Sequence, residues 1–258
     1  MPLEQEKVFQ GKVWFAEFIP VFYIELGGLL LLLFILAALA YKLRKWYVSS
    51  IPPKLVRDIR LLGLGTIVRM FFHLVFVEGF GVYTLYKKYR SRWWTHFAMY
   101  YGFFGLMATT TLAYIFNPQA LPVSFTNPIR MLGNLSGLMV IVGGAVTFWK
   151  YIRDPKTIGT VPNDLVFLVL LYITTITGFM TEAGDYLGHE IAAYGIYAIH
   201  LVSVIALLAL APFTRFIHAI LTPALILFDR YQQELEKRGL AKDYKRDILV
   251  EYLAKLMP

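Results

Sequence analysis

The sequence predicts an all-α integral membrane protein: five transmembrane helices with the N-terminus outside and the C-terminus in the cytoplasm. A cytoplasmic-side interfacial helix and a helical C-terminal tail complete it. Three observations carry this. The 258 residues are 58% hydrophobic and 16% charged, whereas a soluble domain carries about 25% charged residues, so the apolar excess must face something other than water. Several apolar runs approach or exceed the ~18 residues that suggest a spanning helix. Lysine and arginine then gather in segments that five spans place on one side.

The first span covers about 20–41. It follows "MPLEQEKVFQGK", which mixes acids and bases and lacks the basic-then-apolar order of a cleavable signal, so this span is expected to act as an uncleaved insertion signal. The apolar stretch "LLGLGTIVRMFFHLVFVEGFGVY" (61–83) contains Arg69, His73 and Glu78, a poor composition for a lipid-facing span. The remaining spans are 93–116, 130–150, 164–182 and 191–218. The last contains Pro212, which removes the hydrogen bond to the Leu208 carbonyl and should kink the helix.

Charge decides between five spans and six. The connecting segments 42–60, 86–92 and 150–157 and the tail from 215 onward are rich in lysine and arginine, whereas the loops 117–129 and 183–192 have none. Five spans put every basic segment in the cytoplasm, as the positive-inside rule requires. A sixth span at 61–83 would split them, so that stretch reads as an interfacial or re-entrant helix on the cytoplasmic side. The net charge of +8 therefore reports topology in a cell-membrane protein and not a nucleic-acid partner. Residues 1–222 form the expected membrane domain and 223–258 the cytoplasmic tail. Gly239 should break the tail into two helices, the second placing Ile248, Leu249, Tyr252 and Leu253 on one side. That side suits either a solvated helix near headgroups or a docking surface for a cytoplasmic partner.

Cysteine is absent, which excludes disulfides, cysteine-ligated clusters and thiol catalysis from this chain. Chemistry must then come from other side chains, and the five histidines are the candidates: His73, His96, His189, His200 and His218. In "HLVSVIALLALAPFTRFIH" (200–218) two of them stand five helical turns apart on one face, roughly 27 Å along the axis at ~1.5 Å per residue. That is close to the roughly 30 Å of a bilayer's hydrocarbon core. Span 2 enters from the cytoplasm through "RSRWWTH", with His96 shortly after Arg92, and span 5 arrives there through "APFTRFIH", with His218 shortly after Arg215. The helices run antiparallel, so both imidazoles lie at one depth, each beside an arginine. Such a pair can clamp an iron porphyrin axially while Arg92 and Arg215 meet its propionates. The bland alternative is two unrelated interfacial histidines.

His200 has the depth for a second, outer haem, but the facing stretch "GLMATTTLAY" (105–114) contains no histidine. Met107 and Tyr114 are the donors there. Alternatively His200 holds that haem alone, or His189 folds back from the outer loop as sixth ligand, or no outer haem exists. His73 reads as an amphipathic surface residue, with ligation a lesser possibility, and a helix histidine can also simply hydrogen-bond to a neighbouring helix. Glycines and Ser136 in "MLGNLSGLMVIVGGAVTFW" suit close helix packing, or clearance for a flat macrocycle. At the outer face Glu25, Arg130, Glu182 and Asp185 could surround a quinol head, or be ordinary loop-end charges.

The stretch 200–218 resembles the last core helix of the respiratory nitrate reductase gamma-subunit family, in which two histidines eighteen residues apart flank a "PF-[ST]-R/K-x-x-H" ending. The resemblance extends over spans 2 to 5, including "SGLMVIVGG" in span 3. Span 2, "RWWTHFAMYYGFFGLMATT", is similar to the cytochrome b subunits of heterodisulfide reductase and related complexes. The resemblance implies a five-helix haem b anchor passing electrons between membrane quinone, here menaquinol, and cytoplasmic iron–sulfur subunits. It implies one or two b haems, with His96 and His218 ligating the cytoplasm-proximal haem and His200 one side of the outer. The nitrate reductase pattern has a second span-2 histidine where this chain has Leu106, a departure from bis-histidine ligation of the outer haem. Two readings from other classes stand beside this one: a proton-coupled transporter whose histidines relay protons, and a haem-free membrane anchor.

Overall fold

The computed structural model describes residues 13–81, 83–118, 123–153, 162–214 and 216–240. Among them every regular element is helical. The elements are α1 (Phe15–Phe18), α2 (Val21–Ser50), α3 (Pro53–Asp58), a 3₁₀ turn (Ile59–Leu62), α4 (Leu64–His73), a π-helical segment (Leu74–Phe80) and α5 (Tyr83–Lys88). There follow α6 (Arg90–Phe116), α7 (Pro128–Arg153), α8 (Pro162–Leu187), α9 (Glu190–Leu210), a 3₁₀ turn (Ala211–Phe213) and α10 (Phe216–Lys237). Among the described residues four helices are long and apolar enough to cross a membrane, Val21–Ser49, Pro128–Lys150, Leu165–Leu187 and Glu190–Phe213, or five if the bent pair Pro53–Leu62 and Leu64–Phe80 counts as one span. Helix α6 has the length for the expected second span but is not among the four, because tyrosine, tryptophan and threonine dilute its apolar content.

Contacts divide the chain into two compact units, Met1–Phe34 with Ser91–Leu210 and Ile35–Arg90 with Ala211–Pro258. In the first, Asn127 caps α7 by accepting the Ile129 N–H at 2.9 Å, with Pro128 at the first helical position. The glycines of α7 admit neighbours on two faces. A Cβ on Gly143 would lie 3.0 Å from that of Ala98 on α6, and one on Gly137 would lie 2.7 Å from the Phe179 ring on α8. From the α6 side, a Cβ on Gly102 would meet the Ser136 carbonyl oxygen at 2.7 Å. These small residues are thus occupied by helix packing. Between α8 and α9 the chain reverses at Gly188, whose φ of 69° is a left-handed conformation that glycine adopts without steric cost. The short α1 lies on α9, with the Phe15 ring 4.6 Å from Tyr197 and Phe18 stacked on Tyr194 at 5.0 Å.

The second unit is built around Leu55, Leu62, Leu225, Tyr231 and Leu235, all buried. The expected helix over 61–83 is here a compound element. The chain turns by 105° at Gly63, between Pro53–Leu62 and Leu64–Phe80, and Gly63 has φ 76°. Its inner face docks on α10: Tyr231 donates to the Ile67 carbonyl at 3.3 Å, and Arg238 to the Leu62 carbonyl at 3.3 Å. Burial raises the Tyr231 phenol pKa above its ordinary value of 10.0.

The expected kink at Pro212 is a full break. Helix α9 stops at Leu210, the Thr214 N–H closes a tight turn on the Ala211 carbonyl at 3.2 Å, and α10 starts at Phe216. His200 and His218 therefore lie on different helices, and the continuous five-turn stripe read from the sequence is interrupted. Helix α10 also runs through the expected tail boundary at 222–223, with Pro223 inside it. It ends where Gly239 was expected to break it: φ is 65° there, and the Leu240 N–H returns to the Leu235 carbonyl at 3.0 Å. The second tail helix, with Ile248, Leu249, Tyr252 and Leu253, lies outside the described residues.

Candidate functional site

The described histidine with the most built surroundings is His200, on α9. Its ring is turned into the seam with α8, where "TTITG" (174–178) supplies hydroxyls and a glycine. Nδ1 lies 3.1 Å from the Thr174 carbonyl and 3.1 Å from the Thr177 hydroxyl. A carbonyl oxygen can only accept, so the ring proton resides on Nδ1 and the lone pair on Nε2. Nε2 has no hydrogen-bond partner among the described residues. Gly178 makes room for the ring, since a Cβ there would stand 3.2 Å from Cε1 and 4.0 Å from Nε2. Ser203 completes the surroundings, with its hydroxyl 3.5 Å from that of Thr177. An imidazole fixed by a carbonyl at Nδ1 and open at Nε2 is the usual arrangement of a metal or haem ligand. The donor set at His200 therefore suits an axial ligand. The bond to Thr174 is also what a helix-packing histidine would make, but it accounts for only one of the two nitrogens.

The other candidates are distributed. His96 is exposed on α6, its ring 6.0 Å from and nearly parallel to Tyr100. His218 lies on α10, but its side chain and Arg215 fall outside the described residues, and with them the expected His96–His218 pair and the expected propionate contact of Arg215. Arg92 is exposed on α6. Met107 and Tyr114 are exposed on α6, at 45% and 61%, and neither hydrogen-bonds to His200 among the described residues. His189 is exposed between α8 and α9. His73 belongs to the second unit, where Arg230 donates to its Nδ1 at 2.8 Å and to the Glu78 carboxylate at 2.7 Å. Among the described residues no group of three or more histidine, aspartate or glutamate side chains is arranged to hold a metal ion.

At the opposite end of α7 and α8 from Lys150 and Arg153, the structure joins three of the four charged residues expected at the outer face. Arg130 donates to Asp185 Oδ2 at 3.1 and 3.2 Å, to the Tyr186 hydroxyl at 2.8 Å and to the Val123 carbonyl at 2.7 Å. Its Nε lies 3.5 Å from Glu182, which also accepts from Asn134 at 3.1 Å. The second Asp185 oxygen accepts the buried Val13 N–H at 3.3 Å. This network holds α7, α8 and the segment before α1 together. Glu25 is apart from it, exposed on α2.

The residues that sequence reasoning overlooked are Thr174, Thr177, Gly178 and Ser203 around the imidazole, and Asn134 and Tyr186 in the outer network. A signal for the first group was present, because Thr174, Thr177 and Thr181 recur at helical spacing on one face of an apolar helix.

The chain is similar to citrate utilization protein B of Escherichia coli, with 33% identity over 130 residues that cover 48% of this chain and 33% of that protein. The chain thus spans about a third of the length of the relative it matches. No family model matches the chain, and no solved structure matches it.

Proposed function

We propose that this chain is the membrane cytochrome b subunit of a respiratory oxidoreductase complex. It passes electrons between a membrane quinol, menaquinol in the reading favoured here, and cytoplasmic iron–sulfur partner subunits, through one or two b haems. The observation that carries the reading is the His200 ring, held at Nδ1 by the Thr174 carbonyl and left with an unpaired Nε2 beside Gly178. His200 would hold the outer haem. His96 and His218 would hold the cytoplasm-proximal one, with Arg92 and Arg215 toward its propionates. When bound, haem supplies one-electron exchange.

The chain's own residues contribute the rest. The Thr174 carbonyl keeps the proton on Nδ1 and raises the basicity of the opposite nitrogen. The hydroxyls of Thr177 and Ser203 stabilise that ring orientation. The Arg130–Asp185–Glu182 network holds together the helix ends where quinol chemistry would release protons. In this reading the N-terminus is outside, the C-terminus is cytoplasmic, and residues 64–80 lie at the cytoplasmic headgroup level of the cell membrane. The similarity to a citrate utilization protein is compatible with it, because that name describes a metabolic outcome and leaves the membrane chemistry open.

The test is a dithionite-reduced minus oxidised spectrum of the purified protein with a pyridine haemochrome count. Low-spin haem b bands are expected, and the count reads one haem or two. His96→Ala or His218→Ala should abolish the low-spin signal, while His200→Ala should spare it and remove only an outer component. A protein without haem b bands is a transporter or a haem-free anchor instead.

A further inference from the structure

The segment Leu74–Phe80 is π-helical over seven residues. Such turns are rare, occur mostly singly inside α-helices and gather at functional sites. The exit keeps the same spacing, because the Gly81 N–H returns five residues to the Phe76 carbonyl at 3.2 Å. A Cβ on Gly81 would lie 2.6 Å from the Val77 carbonyl oxygen, so only glycine fits this exit without a backbone shift.

One guanidinium spans the wide turn. Arg230 on α10 donates from Nη1 to His73 Nδ1 at 2.8 Å and from Nη2 to the Glu78 carboxylate at 2.7 Å. His73 and Glu78 are five residues apart. At 3.6 residues per turn, side chains at that spacing on an α-helix point about 140° apart, too far round for one planar fork. A π-helix closes its hydrogen bonds five residues on and brings the two to one side. The Glu78 side chain is only 7% exposed, so its half of the clamp is buried.

The His73 half depends on protonation. Arginine can only donate, so Nδ1 accepts and the ring proton sits on Nε2. An imidazolium carries N–H on both nitrogens, which would set cation against cation across this contact. Charged groups on the adjoining elements do not relieve that. Arg69, a turn earlier on α4, and Arg60, on the 3₁₀ turn, add positive charge. On α10 Glu234 pairs with Arg238 at 2.9 Å, Asp229 accepts from Gln233 at 2.8 Å and Glu236 from Gln232 at 3.0 Å. Lys237 adds a further cation there, and the Tyr231 phenol donates to Ile67. On α5 the Lys87 ammonium lies 4.8 Å over the Tyr83 ring.

We propose that His73, Glu78 and Arg230 form a pH-sensitive clamp that holds residues 74–80 in the π form while His73 is neutral. Histidine is the side chain that changes charge between pH 5 and 8. Toward the upper end both points of the fork are bonded and the wide turn is kept. As pH falls His73 takes a proton on Nδ1, Arg230 retains Glu78 alone, and the segment reverts to an α-helix with fewer residues per turn. A register change of one residue turns α5 by about 100° relative to α4. This device goes beyond the electron-transfer reading, in which His73 takes no part.

The chain has no cysteine, so Leu64→Cys/Tyr83→Cys places two nitroxide labels, one on each side of the π segment, without background. The labelled full chain in phosphatidylcholine nanodiscs is measured by electron–electron dipolar spectroscopy at pH 8 and pH 5. The distance distribution should shift to longer values at pH 5. His73→Asn keeps an acceptor at the Nδ1 position but cannot titrate, and should hold the pH 8 distribution at both values. Arg230→Gln should show the longer distance at both. If Arg230→Gln does not fold, His73→Asn carries the test by itself. A parent distance that does not change with pH, as when the imidazolium keeps the spacing by taking Glu78, overturns the proposal. A pH-dependent shift that persists in His73→Asn overturns it equally.

Discussion

At the scale of single residues, the orientation of His200 decides most. Its Nδ1 is committed to Thr174 and its ring rests where Gly178 leaves space. Gly178→Val would place a branched side chain within reach of Cε1, so the ring must rotate and give up a hydrogen bond of about 1 kcal/mol. If His200 is an axial ligand, this variant should lose or shift the outer haem signal and leave the His96–His218 signal unchanged. Reduced-minus-oxidised spectra of the variant and the parent check it, and identical outer signals would count against His200. The sequence announced His200 by depth and residue type alone. The threonine recurrence marked the face that holds Thr174, but not that His200 would meet it there, because a hydrogen bond between two helices depends on how each is rotated about its axis.

At the scale of elements, the helices and the outer network divide in the same way. Pro212 and Gly239 marked an irregularity and an end, and the structure has both, since a missing N–H and a left-handed conformation are local facts. The proline's effect was underestimated, as the chain forms a 3₁₀ turn at 211–213 and starts a new helix. The π-helical stretch 74–80 had no sequence signature at all. Arg130 and Asp185, 55 positions apart, form an ion pair at 3.1 Å with the Asp185 side chain only 4% exposed. Arg130→Leu should cost about 3 kcal/mol, because it leaves a buried carboxylate without its cation. Adding Asp185→Asn should recover part of the loss, since the charge is then gone and the Val13 N–H keeps an acceptor. Thermal denaturation of the two variants in the same detergent measures this. A double variant no more stable than Arg130→Leu would argue against the pair as a coupled unit.

At the scale of the whole molecule, the charge pattern yields a direct test of orientation. With the N-terminus outside, a thiol introduced by Ser124→Cys should react with a membrane-impermeant maleimide in intact cells. One introduced by Lys237→Cys should react only after permeabilisation, and the opposite pattern would reverse the topology. Helical class and the positions of three of the four most apolar helices were legible in the sequence to within a few residues. Apolar runs of that length can satisfy their backbone in lipid only by coiling on themselves. The first such helix was legible at its start but runs to Ser49, well past the expected end near residue 41. The orientation expected from the basic residues at the ends of the runs rests on a similarly local argument, the cost of moving a cation across the bilayer. Contacts between segments distant in the chain belonged to the tertiary structure alone. It placed His200 against Thr174, closed Arg130 on Asp185, and docked residues 64–80 on α10 with the phenylalanines left outward. Each of these depends on which faces of two helices meet, and that is decided by packing between helices rather than by any one stretch of sequence.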